Sequence, residues 1–519
     1  MTSKKIIFSD QMAISHHFLL LVGSLLSILW SIIFSIITIT IPYQIELREG
    51  AALVVTRILL SRGNPYTLEN QPLAMNIYGL GYNLSVLPFA ALFGNTLLIH
   101  RVVTFSFIIL SAVLIFLVVY KIRKDSSFAL ISAAFVMIGL IGHGGIGAFS
   151  SATGTFLFLA SVLIPFLRSF NKSSLVLSAI LALTAFYTKP YFILAFGIVA
   201  LFVFLFVSKK AGMLYGLFFF LIFTVSFFFV RFLFPLYFFN SILVNMSMSW
   251  LSYEHMWSQL LKLFFAFWPA LAILFFSLVA EHTEQKPQRD TIKTSFLDWQ
   301  QPLYNRSLDY CLYLFIFALL TFVFVLGRHR GNNMNYAYQL LVPTFICWFA
   351  SFIKPNKKFQ TLFALLLLFN LFSWQGKLID PHMLEQKNSQ EWARLFSYVH
   401  SSSNILNSQV EASEVVRLGL IPIDMGQTIV YYLVKPFPEN PLVSASYETI
   451  VADGVMYTNS IDQSIQKQRF DTIISVKEKG TFYHVKRLDD YYLPIDEIQV
   501  EMPQTGQKWT ILIWKPKLK

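Results

Sequence analysis

Charge is scarce in this 519-residue chain. Asp, Glu, Lys and Arg make up 13% of it, about half the share of a water-soluble domain. Cysteine is scarcer: Cys311 and Cys347 both lie inside apolar runs, so neither a disulfide framework nor a cysteine metal cluster can be read. Acid is the rarer sign, 28 residues against 40 Lys and Arg, for a formal charge of +12. What fills the chain is apolar. AVILMFWYC account for 55%, with 53 Phe, and the mean hydropathy is +0.59. A polytopic membrane protein follows.

Apolar stretches near membrane length lie at 17–43, 99–120, 127–147, 152–168, 174–188, 190–208, 213–237, 259–280, 310–327, 337–353 and 358–374. They predict about eleven transmembrane helices, with 1–379 as the membrane domain and 380–519 as a polar domain beyond it. The first run is too long for a signal peptide and lacks a small-residue cleavage site. Loop charge sets the orientation. Roughly sixteen basic residues, among them Lys4, Lys121, Arg123, Lys209 and Lys354, fall on one side, against about nine on the other before the tail. The N-terminus is therefore expected in the cytoplasm and the tail outside the plasma (inner) membrane. The net charge is mostly topology, and no nucleic-acid partner is implied.

Orientation does not explain the basic residues on the minority side, which include Arg48, Arg57, Arg101, Lys189, Arg328 and Arg330. Most border the membrane beside acidic, His or Asn residues, a distribution suited to an anionic ligand at the surface. The first external segment, 44–98, opens on "IELREG". It continues as an interfacial helix with Ala52, Val55, Ile58 and Leu59 on one stripe, stopped by Gly63, Asn64 and Pro65. "NIYGLGYNLSVLPFAALFG" is a second apolar piece broken by Gly79, Gly81 and Pro88. A span there would reverse the charge bias of every later loop, so a re-entrant or surface helix is expected.

These features in order resemble the GT-C superfamily of membrane glycosyltransferases: an acidic pair after the first span, a helix ending "RGNPY", a Tyr-Gly-rich helix and a "HR" entry to the next span. The nearest resemblance is to the RgtA/B/C/D-like branch, related to protein mannosyltransferases and aminoarabinose transferases. "AFYTKPYF" at 185–192 and "GRHRGNNMNYAYQLLVP" at 327–343 extend it. The likeness covers roughly 15–375, and the tail resembles that branch's external domain more loosely.

The resemblance implies an α-helical GT-C-like membrane fold with a small external α/β domain. It implies transfer of a hexose or pentose from a polyprenyl-phosphate donor to a glycan, lipid or protein hydroxyl, with inversion. A carboxylate near the membrane face suits the base, and cations suit the departing phosphate. Glu49 stands at the family's acidic motif, with Glu46 the fallback; Arg48 replaces the motif's first acid and is assigned to substrate. Arg101 stands at the family's phosphate-binding arginine, beside His100. Lys189, between two apolar runs, is assigned to the donor phosphate. Arg328, His329, Arg330, Asn335 and Tyr336 form a dense cluster for phosphate or sugar.

The loop "GHGGIGAFSSATG" at 142–154 departs from the branch: Phe149, Ser150 and Ser151 stand where relatives carry Arg-Pro-Asp. The lost acid weakens a metal-dependent reading and leaves His143 as a candidate contact; no cofactor is implied with certainty, and a divalent metal stays an open alternative. In the tail, 389–400 reads as a helix, and 428–434, 470–476 and 509–516 read as strands of a small α/β domain. Its role stays open between acceptor binding, shielding and structure. A lipid-linked sugar flippase, an O-antigen ligase or polymerase, and a non-catalytic binding protein remain alternatives.

Overall fold

A computed structural model describes residues 2–66, 78–148, 150–244, 251–284, 303–328, 336–352, 360–375, 386–408, 410–420, 459–477, 488–503 and 506–517. The bundle runs α1 (Thr2–Ile39), α2 (Glu49–Leu60), α3 (Gly81–Phe93), α4 (Leu97–Arg123), α5 (Ser126–Gly139), α6 (Ser151–Leu167) and α7 (Lys172–Phe186). It continues through α8 (Leu194–Phe202), α9 (Lys209–Leu233), α10 (Tyr253–Glu284), α11 (Leu303–Phe324), α12 (Val342–Phe352) and α13 (Gln360–Gln375). Each expected span coincides with one of these helices. Among the described residues, six helical stretches are long and apolar enough to cross a membrane, and the chain is a polytopic helical membrane protein. α3 has 13 residues, fewer than the roughly 20 that a perpendicular crossing takes.

Helix ends follow capping chemistry. The Thr96 side chain accepts from Ile99 N–H, Asp125 from Ser127 and Phe128, and Asn171 from Ser174, each satisfying donors left orphaned in a first turn. Lys121 donates to the carbonyls of Phe166 and Leu167 at 2.8 Å, so a cation covers the end of α6. α2 stops earlier than Gly63: Arg62 takes φ 59, Gly63 N–H bonds Ile58 O, and Arg62 N–H bonds Leu59 O. That pair of bonds is the Schellman pattern, with an arginine where glycine is usual.

Lipid gives little hydrophobic drive between helices, so close packing uses small and hydroxyl-bearing residues. α6 and α7 show it: Ser161 Oγ donates to Ser178 O at 2.9 Å, Ser178 Oγ donates to Ser161 O at 2.7 Å, and Ala179, Ala182 and Ala185 are fully buried. Farther along, Phe220, Phe228, Phe229 and Phe232 of α9 face outward, as lipid-facing residues do.

The C-terminal part packs α14 (Gln386–His400) and α15 (Ala412–Arg417) with β1 (Ile405–Leu406), β2 (Thr472–Val476), β3 (Tyr492–Met502) and β4 (Gln507–Pro516). The sheet order is β1-β2-β4-β3, with β1 parallel to β2 and the other pairs antiparallel. The expected helix and the strands at 470–476 and 509–516 coincide with α14, β2 and β4, whereas 428–434 lies outside the described residues. β3 was not expected: Pro494, Asp496 and Glu497 hide it. It is tolerated there because β3 is an edge strand with a register shift between Pro494 and Asp496.

One close approach positions the site. Gly79 N–H bonds Thr188 O at 3.2 Å and Gly81 N–H bonds Tyr187 O at 2.7 Å. A Cβ on Gly79 would lie 2.0 Å from Tyr187 O. Gly79→Ala is therefore expected to lower stability by about 2–3 kcal/mol through overpacking. Gly197→Ala, inside α8 where an added Cβ meets nothing within 4 Å, should instead raise it by about 0.5–1 kcal/mol through helix propensity. Thermal unfolding of the detergent-purified pair checks this, and equal midpoints would refute the packing argument.

Candidate functional site

The chain leaving α1 carries carbonyls that no helix satisfies. Arg101, from the first turns of α4, supplies donors there: Nη1 bonds Ile41 O at 2.6 Å and reaches Thr38 O and Ile39 O of α1 at 3.4 Å, and Nη2 bonds Tyr43 O at 2.6 Å. Its Nε and Nη2 also pair with Glu49 Oε1 and Oε2, both at 2.8 Å. Glu49 accepts two further bonds, from Ile45 N–H at 2.7 Å and Ala148 N–H at 2.9 Å. Both side chains are 0% exposed. A buried ion pair persists when its remaining donors and lone pairs are filled, and here they are filled. Glu49 and Arg101 thus hold the α1–α2 loop to α4 and to the loop before α6, with no oxygen or N–H left over for a substrate.

Three residues before Glu49, Glu46 sits differently. Its Oε2 accepts from Arg48 N–H at 2.7 Å and its Oε1 from Arg48 Nε at 2.6 Å, which leaves each oxygen a second lone pair. The Glu46 side chain is 9% exposed and that of Arg48 is 38% exposed. Arg48 also hydrogen-bonds Tyr78, and the Glu46 and Tyr78 contacts outweigh burial to raise its pKa. Tyr78 directly precedes Gly79, so the clip to Tyr187 and Thr188 sets it near Lys189.

Lys189 lies in the extended turn between α7 and the 3-10 turn Pro190–Ile193, and its Nζ donates to Ser151 Oγ at 2.8 Å. Burial, joined by the Arg48 charge and opposed by Glu46, lowers its pKa to about 7. One carboxylate and two cations therefore gather here: Glu46, Arg48 and Lys189, with Tyr78 and Ser151. Tyr191 borders them, with its hydroxyl on Gln339 Oε1 at 2.7 Å and its ring edge-on to Tyr336, centroids 5.0 Å apart.

The structure gives the other expected site residues the following contacts. His100 is wholly buried; Nδ1 meets Tyr82 Oη at 3.1 Å and Nε2 meets Asn95 Oδ1 at 2.9 Å, so both ring nitrogens serve the packing of α3 on α4. His143 stacks on Tyr338 at 3.8 Å. The Arg328 guanidinium lies over the Tyr253 ring at 4.0 Å. His329, Arg330 and Asn335 lie outside the described residues. Sequence reasoning passed over Tyr78, Tyr191 and Gln339. The available signal was the tyrosine in each of "NIYGLG" and "TKPYF", beside residues already singled out.

Among the described residues no three His, Cys, Asp or Glu side chains gather to hold a metal. Glu46 stands beside two cations rather than further oxygens, a poor donor set for a hard divalent ion.

No family model matches the chain, and no curated protein matches it. Solved structures do. ArnT from Cupriavidus metallidurans, bound to undecaprenyl phosphate, is 10% identical, with 94% of this chain and 97% of that chain covered at a TM-score of 0.58. The same enzyme in the apo state gives 10% identity, the same coverage and a TM-score of 0.59. The chain has the GT-C fold. An archaeal oligosaccharyltransferase from Archaeoglobus fulgidus also matches, at 11% identity over 89% of this chain and 69% of that chain, but its TM-score of 0.45 carries no argument.

Because Glu49 and Arg101 are buried together, Glu49→Gln or Arg101→Met alone should cost about 3–5 kcal/mol by stranding the partner's charge. The double variant should lose less than the sum. A double-mutant cycle on thermal unfolding measures the coupling, and strict additivity would exclude a structural pair.

Proposed function

We propose that this protein transfers a sugar from a polyprenyl-phosphate donor to an acceptor hydroxyl at the end of the bundle where Glu46, Arg48 and Lys189 meet. The observation that carries the reading is this excess of cation over carboxylate beside a membrane boundary, on a GT-C fold. ArnT, which shares the fold, holds undecaprenyl phosphate in one structure. Below Lys189's pKa of about 7, with Glu46 at −1 and Arg48 and Lys189 at +1 each, the group sums to +1, which suits an anionic lipid headgroup. Ser151 matters here. A carboxylate at its position would pair with Lys189, whereas a serine hydroxyl adds no negative charge.

In the proposed reaction the acceptor oxygen attacks the anomeric carbon from the face opposite the phosphate. The C–O bond to the phosphate breaks, and its electron pair leaves with the lipid phosphate. Arg48 and Lys189 offset the charge that develops on the leaving group. Glu46, with a lone pair on each oxygen, takes the acceptor proton. Glu49 and Arg101 hold the loop in place in this reading. The reacting end is read as external, with the N-terminus cytoplasmic, 1–379 catalytic and 380–519 outside the plasma membrane. A flippase would place its charges at mid-membrane, which the gathering at one end disfavours.

Binding of undecaprenyl phosphate to the purified chain tests the reading. Arg48→Ala and Lys189→Met should each weaken it about tenfold, the worth of one charge-assisted contact; Glu46→Gln should keep binding but lose transfer from lipid-phosphate sugars. The ammonium population falls as pH rises through Lys189's pKa of about 7. The phosphate monoester's own second ionisation falls in the same window, so the measure is the ratio of wild-type to Lys189→Met affinity, which should drop several-fold between about pH 6 and about pH 8. A ratio that rises with pH, or no binding by the wild type, would sink the proposal.

A further inference from the structure

We infer that α15 of the C-terminal part is a positioning element for the loop that carries Glu46 and Arg48, acting through Gln44. This deepens the function proposed above and rests on it.

Gln44 is 0% exposed and sits between two parts of the chain. Its Oε1 accepts the Ser413 N–H at 2.8 Å, and its Nε2 donates to Glu46 O at 3.4 Å and Leu47 O at 3.3 Å. Ser413 is in the first turn of α15, where an N–H has no helical acceptor. One amide side chain therefore joins the start of α15 to the backbone of Glu46.

The neighbouring contacts make this a seat rather than a chance touch. Tyr43 stacks on Trp392 of α14, with centroids 4.8 Å apart and planes at 7°. A Cβ on Gly50 would lie 2.6 Å from Ala412 Cβ, so α2 and α15 meet at backbone distance. Arg57 of α2 donates to Leu420 O and Gly419 O beyond the end of α15. Two adjacent residues of α15 divide between cores: Val415 packs with Trp392, Leu395 and the sheet, while Val416 packs with Leu53, Val54 and Ile58 of α2.

α15 is itself tied to α14. Glu414 accepts from Arg417 Nε at 2.7 Å and is hydrogen-bonded to His400 Nε2. Burial pushes the Glu414 carboxyl up, but the Arg417 and His400 bonds outweigh it and hold it below its usual value. The short helix thus moves with the C-terminal part, and the loop holding Glu46 is gripped from both sides: by Arg101 on the bundle and by Gln44 and Ser413 on α15. None of the residues of α15 joins the Glu46, Arg48 and Lys189 group, so its effect on a ligand passes through the loop.

The test uses the full chain and undecaprenyl phosphate as probe. Gln44→Met keeps the volume and removes the polar atoms; Arg57→Met loosens the same seat from its far end and serves if the first variant folds poorly. Each should weaken binding about fivefold, within the range of one lost hydrogen bond. The readout that a merely structural role would not move is the pH profile. Displacing the loop removes both Arg48, which lowers the Lys189 pKa, and Glu46, which raises it by less, so the fall in affinity should begin at higher pH than in the wild type. Ser413→Ala keeps its N–H and should match the wild type in both affinity and profile. Folded Gln44→Met and Arg57→Met proteins with unchanged affinity and profile would overturn the inference while leaving the proposed function intact. No binding by the wild type would overturn the function itself.

Discussion

The ion pair between Glu49 and Arg101 is the contact on which the arrangement at this end of the bundle depends. One arginine holds the carbonyls of the chain as it leaves α1, and the same guanidinium fixes the acid that begins α2. Glu49 N–H in turn bonds Glu46 O at 3.2 Å, so the turn that carries Glu46 is built directly on the pair. Burying two charges costs several kcal/mol each unless their hydrogen-bonding capacity is filled. Four acceptor bonds on the acid and a full set on the arginine meet that condition. The stabilisation is local, and its effect is geometric: a loop that would otherwise be loose at a membrane boundary has one conformation.

That division of labour separates two carboxylates with nearly the same sequence context. Glu49 is saturated and enclosed; Glu46 accepts only from the neighbouring Arg48 and keeps lone pairs. Both acids stand out in "IELREG", and the family pattern favoured Glu49. Which one is consumed by structure is decided by a partner 52 residues away, and no spacing rule in the first loop carries that information.

Much of the architecture could be read because membrane insertion imposes a simple length and polarity code, and the apolar runs coincide with helices throughout. The sheet was only partly readable. β2 and β4 have apolar runs, but β3 carries Pro494 and three acids, Asp496, Glu497 and Glu501, on a strand that pairs along one edge only among the described residues. Arg101, Lys189 and Glu46 stood out as polar residues in apolar surroundings, and all three lie at this end of the bundle. Their partners did not stand out. Tyr78, Tyr191 and Gln339 look like ordinary interfacial or core residues until the turn before Pro190 meets Gly79. His100 stood out in the same way, beside Arg101, and the structure sets its two ring nitrogens on Tyr82 and Asn95.

The bonds joining Gly79 and Gly81 to Thr188 and Tyr187 are made by main chain on both sides. Their spacing is therefore indifferent to which side chains flank them. Tyr78 hangs from one side of this seam and Lys189 from the other, so either can be exchanged without shifting the frame that holds its neighbour. A scaffold of this kind fixes the two segments against each other by main chain alone, so the side chains they carry can change while the backbone stays in place.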